Sequence, residues 1–342
     1  MNTKLVAPVI LFLFFQSISA QNKPSISDVD RIRLAEAFRL GESMRDVLWK
    51  DWDKAPFAVL LVTHEYEFLI RHPQPSQDFN LLGYDRLLNS NVYFRKRMQR
   101  TDFLATFPAI KGSIVPTIVV GQAENTTAKT STAWVVTLLH EHFHQLQYSR
   151  PGYYADVSAL NLSGGDQTGM WMLNYAFPYD NPKVQEQFSV LSSLLAEALK
   201  ASEKGERGIK LASYLKARRQ FQQMLEPNDY KYASFQWWQE GVARYTEYQV
   251  AKFAASKYKP SKEFQALKDF DPFGQVAIST HERIFKQLLT QKLGESKRVM
   301  FYPFGAAEAL LLDKVNPSWR SRYFVEKFDL GKYYEAAKLT NR

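Results

Sequence analysis

Apolar positions along the chain change rhythm twice. After the apolar opening that ends near Ala20, "ISDVDRIRLAEAFRLGESMRDVLWKDWD" repeats apolar residues at helical spacing and predicts a helix bent near Gly41. The runs "FAVLLVT", "EYEFLIR", "VYFRK" and "GSIVPTIVVGQ" come next. They are β-branched or aromatic and bounded by Pro, Gly and Asn, which predicts strands. Pro116 cannot donate to a ladder, so the last run is expected as an edge strand or a bulge.

From about residue 131 the spacing turns helical. A helix around "HEHFH" follows "NTTAKTSTA", and a loop rich in Gly, Asn, Asp and Tyr runs from Pro151 to about Pro182. Helices are predicted from Lys183 to about Glu203, Gly208 to about Leu225, and Tyr230 to about Lys257. A linker with Pro and Lys follows. "MFYPFGAAEALLLDKVNPSWRSRYF" then reads as one helix, a stop at Asn316-Pro317, and a short tail. The layout is α+β: an N-terminal helix and small β-sheet over residues 21–130, then a mainly helical region over 131–342.

The opening itself, "MNTKLVAPVILFLFFQSISA", has one charge at Lys4, an apolar run from Leu5 to Phe15, and small residues at its end. It has the form of a secretory signal peptide, with cleavage expected after Ala20 and one residue of latitude. The run is too short to span a bilayer comfortably and contains Pro8. The mature chain is therefore expected to be secreted or periplasmic, without an integral membrane segment.

The chain has no Cys, which excludes disulfides, thiol catalysis and thiolate metal ligands. Hydrophobics at 45% and aromatics at 14% fit a packed globule. The net charge of +9 is spread in short clusters such as "RKRMQR" (Arg95 to Arg100), with no nucleic-acid motif, so no nucleic-acid partner is expected.

Candidate chemistry concentrates in "VVTLLHEHFHQLQYS", Val135 to Ser149, which holds three of the six histidines. His140, Glu141 and His144 form H-E-x-x-H. On a helix, the two histidines lie on one face a turn apart and can reach one ion. Glu141 points beside that ion, where it can take a proton from a water the metal holds. Val136, Leu139, Phe143 and Leu146 form an apolar stripe for the core, and Thr137, His140 and His144 fall on the neighbouring stripe, facing a cleft. His142 faces away and is read as structural.

Catalytic zinc usually takes three protein ligands and leaves one position open. No His follows at the short spacing after "HQLQYSRPGYY". The better third ligand is Glu240 in "WWQEGVARYTEYQ", where Gly241 and Ala243 permit close approach of two helices. Glu247 lies on the same face two turns on, either orienting a ligand histidine or as a solvated charge.

Together, "HEHFH" and "WWQEGVARYTE" resemble the gluzincin class of zinc metallopeptidases, closest to its peptidase MA-like branch with a downstream E-G-x-A-x-Y-x-E segment. The resemblance implies that Glu240 is the third zinc ligand. It also implies that the strand "SIVPTIVVGQ" lines the cleft as an edge strand that extended substrate joins. It further suggests a downstream Tyr or His to stabilise the oxyanion, with Tyr302 favoured over His281. The expected function is thus an exported zinc metallopeptidase with one Zn2+, held by His140, His144 and Glu240. Glu141 would act as general base and a peptide or protein would be the substrate. The alternatives are a non-catalytic zinc protein serving as a binding platform, or a zinc amidohydrolase acting on a non-peptide envelope substrate.

Overall fold

The computed structural model describes residues 24–340, with side chains up to residue 335. The signal segment and its cleavage position lie outside the described residues. Among the described residues, no helix is long and apolar enough to cross a membrane.

Helix α1 (Asp28–Leu48) starts at Ser27, whose hydroxyl accepts from Asp30 N–H as an N-cap. Its non-helical residue is Arg45, not Gly41 as the sequence suggested. Gly41 instead makes room for a neighbour: a Cβ there would stand 3.0 Å from the Phe57 ring.

Six strands follow: β1 (Val59–Val62), β2 (Tyr66–Ile70), β3 (Asn80–Asp85), β4 (Ser90–Lys96), β5 (Leu104–Phe107) and β6 (Thr117–Gly121). They form one sheet in the order β3-β4-β2-β1-β6-β5, with β1 and β6 parallel and every other pair antiparallel. Strand alternation divides the apolar residues between two faces. Val59, Leu61, Ile118 and Val120 join the main core beneath the helices. Leu60, Val62 and Val119 join a smaller core with Phe79 and Ile110.

This order corrects the expectation for "SIVPTIVVGQ". β6 is an interior strand, fully buried, and the edge strand beside it is β5. Pro116 falls just before the first ladder residue, so no interior hydrogen bond is lost. Its carbonyl accepts from Gln145 Nε2 at 2.8 Å, and the Ala58 carbonyl accepts from the same amide at 2.9 Å. The sheet is thereby tied to the helix that carries the histidines. Gly121 ends β6 because the incoming chain crosses there: a Cβ would lie 1.8 Å from the Thr101 carbonyl oxygen.

Helix α2 (Ser131–Tyr148) carries the histidines. After it come α3 (Pro182–Lys200), α4 (Lys204–Met224) and α5 (Pro227–Gln236). A π-helical turn (Trp237–Gly241) leads straight into α6 (Val242–Lys257). Helix α7 (Phe273–Thr290) occupies the stretch read from sequence as linker. Its buried Phe273, Val276, Ala277, Thr280, Ile284 and Leu288 recur at helical spacing, opposite a face rich in Gln, Lys and Arg. Helix α8 (Phe301–Val315) runs through the core and buries Phe301, Phe304, Ala306, Ala307 and Leu311 completely. The chain closes with α9 (Gly331–Thr340). The result is a mixed α+β fold, with the helices packed on one face of a single sheet.

Candidate metal centre

Helix α2 turns its two stripes as their spacing dictates. Val136, Leu139, Phe143 and Leu146 are buried in the core, while Thr137, His140, Glu141, His144 and Tyr148 line a cleft of about 990 Å³. One ligand atom each from His140, His144 and Glu240 lies within 4.8 Å of the others. The three form a buried group of a size and chemistry that can hold a metal ion: two imidazoles and one carboxylate.

Glu240 sits in the π-helical turn between α5 and α6. An extra residue in one turn rotates a side chain off the regular helical face, and such turns recur at functional sites. Two contacts hold that turn in place. The Trp238 ring stacks on Tyr323 at 4.4 Å, and Trp237 packs on Phe304 at 4.7 Å. The small residue after Glu240 serves a contact the sequence did not indicate. A Cβ on Gly241 would stand 2.4 Å from Gly305 Cα, so the close crossing is with α8 rather than with α2.

Each of the two histidines has one ring nitrogen engaged or aimed at an acceptor. His144 Nδ1 lies 2.7 Å from Gln147 Oε1. Gln147 Nε2 donates to the Gln239 carbonyl at 3.1 Å and to Tyr323 Oη at 2.7 Å, which fixes the amide with its oxygen toward His144. A proton on Nδ1 is therefore held in place, and Nε2 is the nitrogen that an ion would take by displacing its proton. His140 Nδ1 is buried without a hydrogen bond and faces Glu247 Oε2 at 3.4 Å. Glu247 is thus a buried carboxylate paired with Arg244 and Arg283, not a solvated charge.

His144 Nε2 and Glu240 Oε2 are 3.4 Å apart. Burial disfavours charge on both, yet each stabilises the other. Glu240, helped also by Arg298, is held down at about 2, and His144 is raised to about 9. For Glu247, burial is likewise overcome by Arg244, His140 and Arg283, which hold it far below the usual carboxylate range.

Glu141 stands beside His140, His144 and Glu240 on the cleft wall. Thr106 Oγ1, on edge strand β5, donates to Glu141 Oε2 at 2.7 Å. Residues 103–107 line the cleft, so the free edge of β5 runs along it. Tyr302 occupies the second position of α8, lines the cleft, and accepts from Arg298 Nη1 at 2.9 Å. Burial and the nearby Glu240 raise its phenol, so it remains a neutral donor. His281 is not among the cleft residues and packs between Tyr248 and Phe285.

His142 lies on the far side of α2, stacked on Phe57 at 3.9 Å and beside Trp52. Burial lowers it to about 4, so it is a neutral core residue.

Sequence reasoning missed Thr106, Gln147, Arg244, Arg283 and Arg298. Only Gln147 left a local signal. His142 and His144 each have a Gln three residues on, and both pairs hydrogen-bond. The three arginines come from different elements and had none. A comparison with protein-family models, curated proteins and solved structures finds no match.

Proposed function

We propose that this chain is an exported zinc-dependent hydrolase that cleaves peptide bonds, in the manner of the gluzincins its motifs resemble. The observation that carries the reading is the position of Glu141. Its carboxylate stands in the cleft beside His140, His144 and Glu240, where a purely structural metal site has no use for it.

The donor set suits zinc: two imidazole nitrogens whose partner nitrogens are directed to acceptors, and one carboxylate kept ionised. When bound there, zinc would supply acidity to a water and polarise the substrate carbonyl. The chain's own residues supply the rest. Glu141 accepts the proton of the attacking water and returns it to the leaving amine. Thr106 holds one Glu141 oxygen by its hydrogen bond, leaving the other for that transfer. The free edge of β5 offers backbone groups to which an extended peptide can pair, which positions the scissile bond. Tyr302, a neutral donor backed by Arg298, is the group best sited to stabilise the developing oxyanion.

The test compares zinc-loaded protein with Glu141→Gln on a mixed peptide library, read by mass spectrometry. New termini are expected from the wild type, and a loss of about a hundredfold or more in the variant, with its zinc retained. Equal cleavage by both would remove Glu141 from the reaction. No cleavage by either, with zinc bound to each, would favour a binding platform or a non-peptide amide.

A further inference from the structure

We propose that Arg244, Arg283 and Arg298 form a carboxylate-binding subsite beside the metal group, so that preferred substrates carry a free carboxylate close to the bond cut. The inference rests on the reading of this cleft as a substrate site, and it names the substrate class.

All three guanidiniums line the cleft, although they arrive on α6, on α7 and on the turn before α8. Arg244 Nη1 and Arg283 Nη2 bind opposite oxygens of one carboxylate, Glu247, at 2.8 Å and 2.5 Å. Two positive groups on one negative group leave a surplus charge there. Glu247 also faces His140, which stays neutral as a ligand, so the surplus persists with metal bound. Arg298 is only loosely paired with Glu240, at 3.5 Å, and that carboxylate belongs to the ion.

The arginines also keep donors unspent. Arg244 makes its bond to Glu247 through Nη1 alone. The Arg283 side chain is 44% exposed. Arg298 uses Nη1 for its contacts with Gln236, Glu240 and Tyr302. Planar guanidinium donors match a carboxylate two bonds at a time.

The charge of the whole cleft points the same way. Its three arginines face four carboxylates: Glu141, Glu240, Glu247 and Asp271. A divalent ion turns that balance to one net positive charge. A single carboxylate on the substrate neutralises it at a cleft wall where the arginines are only partly solvated, so the attraction is partly screened.

The test reads binding rather than turnover. Zinc-loaded protein is titrated calorimetrically with succinic monohydroxamate and with the hydroxamate whose carboxylate is replaced by an amide. Both carry the same zinc-binding group. The acid is expected to bind about tenfold or more tightly, and the preference should shrink with added salt. In Arg283→Gln and Arg244→Gln the preference should fall toward unity, with zinc content checked for each. Arg283 is partly exposed, so its variant is the one expected to fold without difficulty.

Equal affinities in the wild type, a preference that survives in both variants, or no binding of either compound would overturn the proposal. A protein that prefers the acid yet cuts no peptide keeps this subsite and refutes the peptidase reading instead. A second arm compares peptides with a free or amidated C-terminus and with an internal Glu or Gln. Preference for the free terminus or for Glu identifies which carboxylate the arginines take. Efficient cleavage with neither preference also overturns the proposal.

Discussion

Removing Glu247 tests whether a residue that touches no substrate sets the strength of the metal site. Its side chain is 6% exposed; its two oxygens accept from Arg244 and Arg283, and Oε2 lies 3.4 Å from His140 Nδ1. His140 Nδ1 has no hydrogen bond, and Glu247 Oε2 is the acceptor it faces, so Glu247 is the group that would orient this imidazole when an ion is bound. An imidazole N–H on a carboxylate is a charge-assisted hydrogen bond, which contributes about 1.5–3 kcal/mol. That corresponds to about tenfold to about a hundredfold in metal affinity, the range seen when such outer partners are removed elsewhere. Glu247→Gln leaves one carbonyl oxygen for three donors and is expected near the lower end. Glu247→Ala removes every acceptor and is expected near the upper end. The assay is zinc competition against a chromophoric chelator at fixed pH. Glu141→Gln serves as a control that should bind zinc as the wild type does. Arg244 and Arg283 retain access to solvent, so the fold should survive, and near-ultraviolet circular dichroism of the buried tryptophans would verify it. A folded Glu247→Ala protein with wild-type zinc affinity would refute the argument that Glu247 orients His140.

Other consequences follow from named contacts. Glu240→Ala should lose most of its zinc affinity in the same competition assay, and unchanged zinc content would point to a different third ligand. Gly305→Ala would set a Cβ 2.4 Å from the Trp237 carbonyl oxygen and 2.8 Å from Gly241 Cα. Forcing α8 away from the π-helical turn should cost about 1–3 kcal/mol in denaturant unfolding and weaken zinc binding through Glu240; an unchanged midpoint would refute the close crossing. His72 is lowered by burial, and its Nδ1 accepts from Gln74 N–H at 3.0 Å, which only the neutral ring can do. The unfolded chain therefore takes up this proton first, and stability falls as pH drops below about 6.5. His72→Asn keeps an acceptor for that N–H and cannot titrate, so it should lose less stability than the wild type between pH 7.5 and 5.5 in matched melts. Equal losses would show that His72 does not couple to folding.

How legible each feature was depended on how local its cause is. The HExxH pair could be read directly, because a helix fixes positions i and i+4 without help from the rest of the chain. The two stripes of α2 were equally readable, and the core takes Val136, Leu139, Phe143 and Leu146 while the cleft takes His140 and His144. Glu240 could be found by residue type and its small neighbour, but the reason for Gly241 could not. Its partner is Gly305, sixty-four positions away. The identity of the edge strand was also out of reach. Strand order depends on which segments pair across the sheet, and β5 is only four residues long with partly exposed positions. Helix α7 was legible in its buried positions, yet its charged face and the preceding Pro272 gave it the look of a linker.

Residue types and spacing set the chemistry on offer: two histidines on one helical face with a glutamate beside them, a second carboxylate segment, and no thiol anywhere. How those groups act together follows from contacts between distant segments. Tertiary packing brought Glu247 against His140, Gln147 against His144, and Thr106 against Glu141, and it gathered arginines from three elements into one cleft. Local patterns follow from backbone geometry over a few residues. Contacts between distant segments follow from which apolar faces bury each other, and that is settled only when the whole core packs.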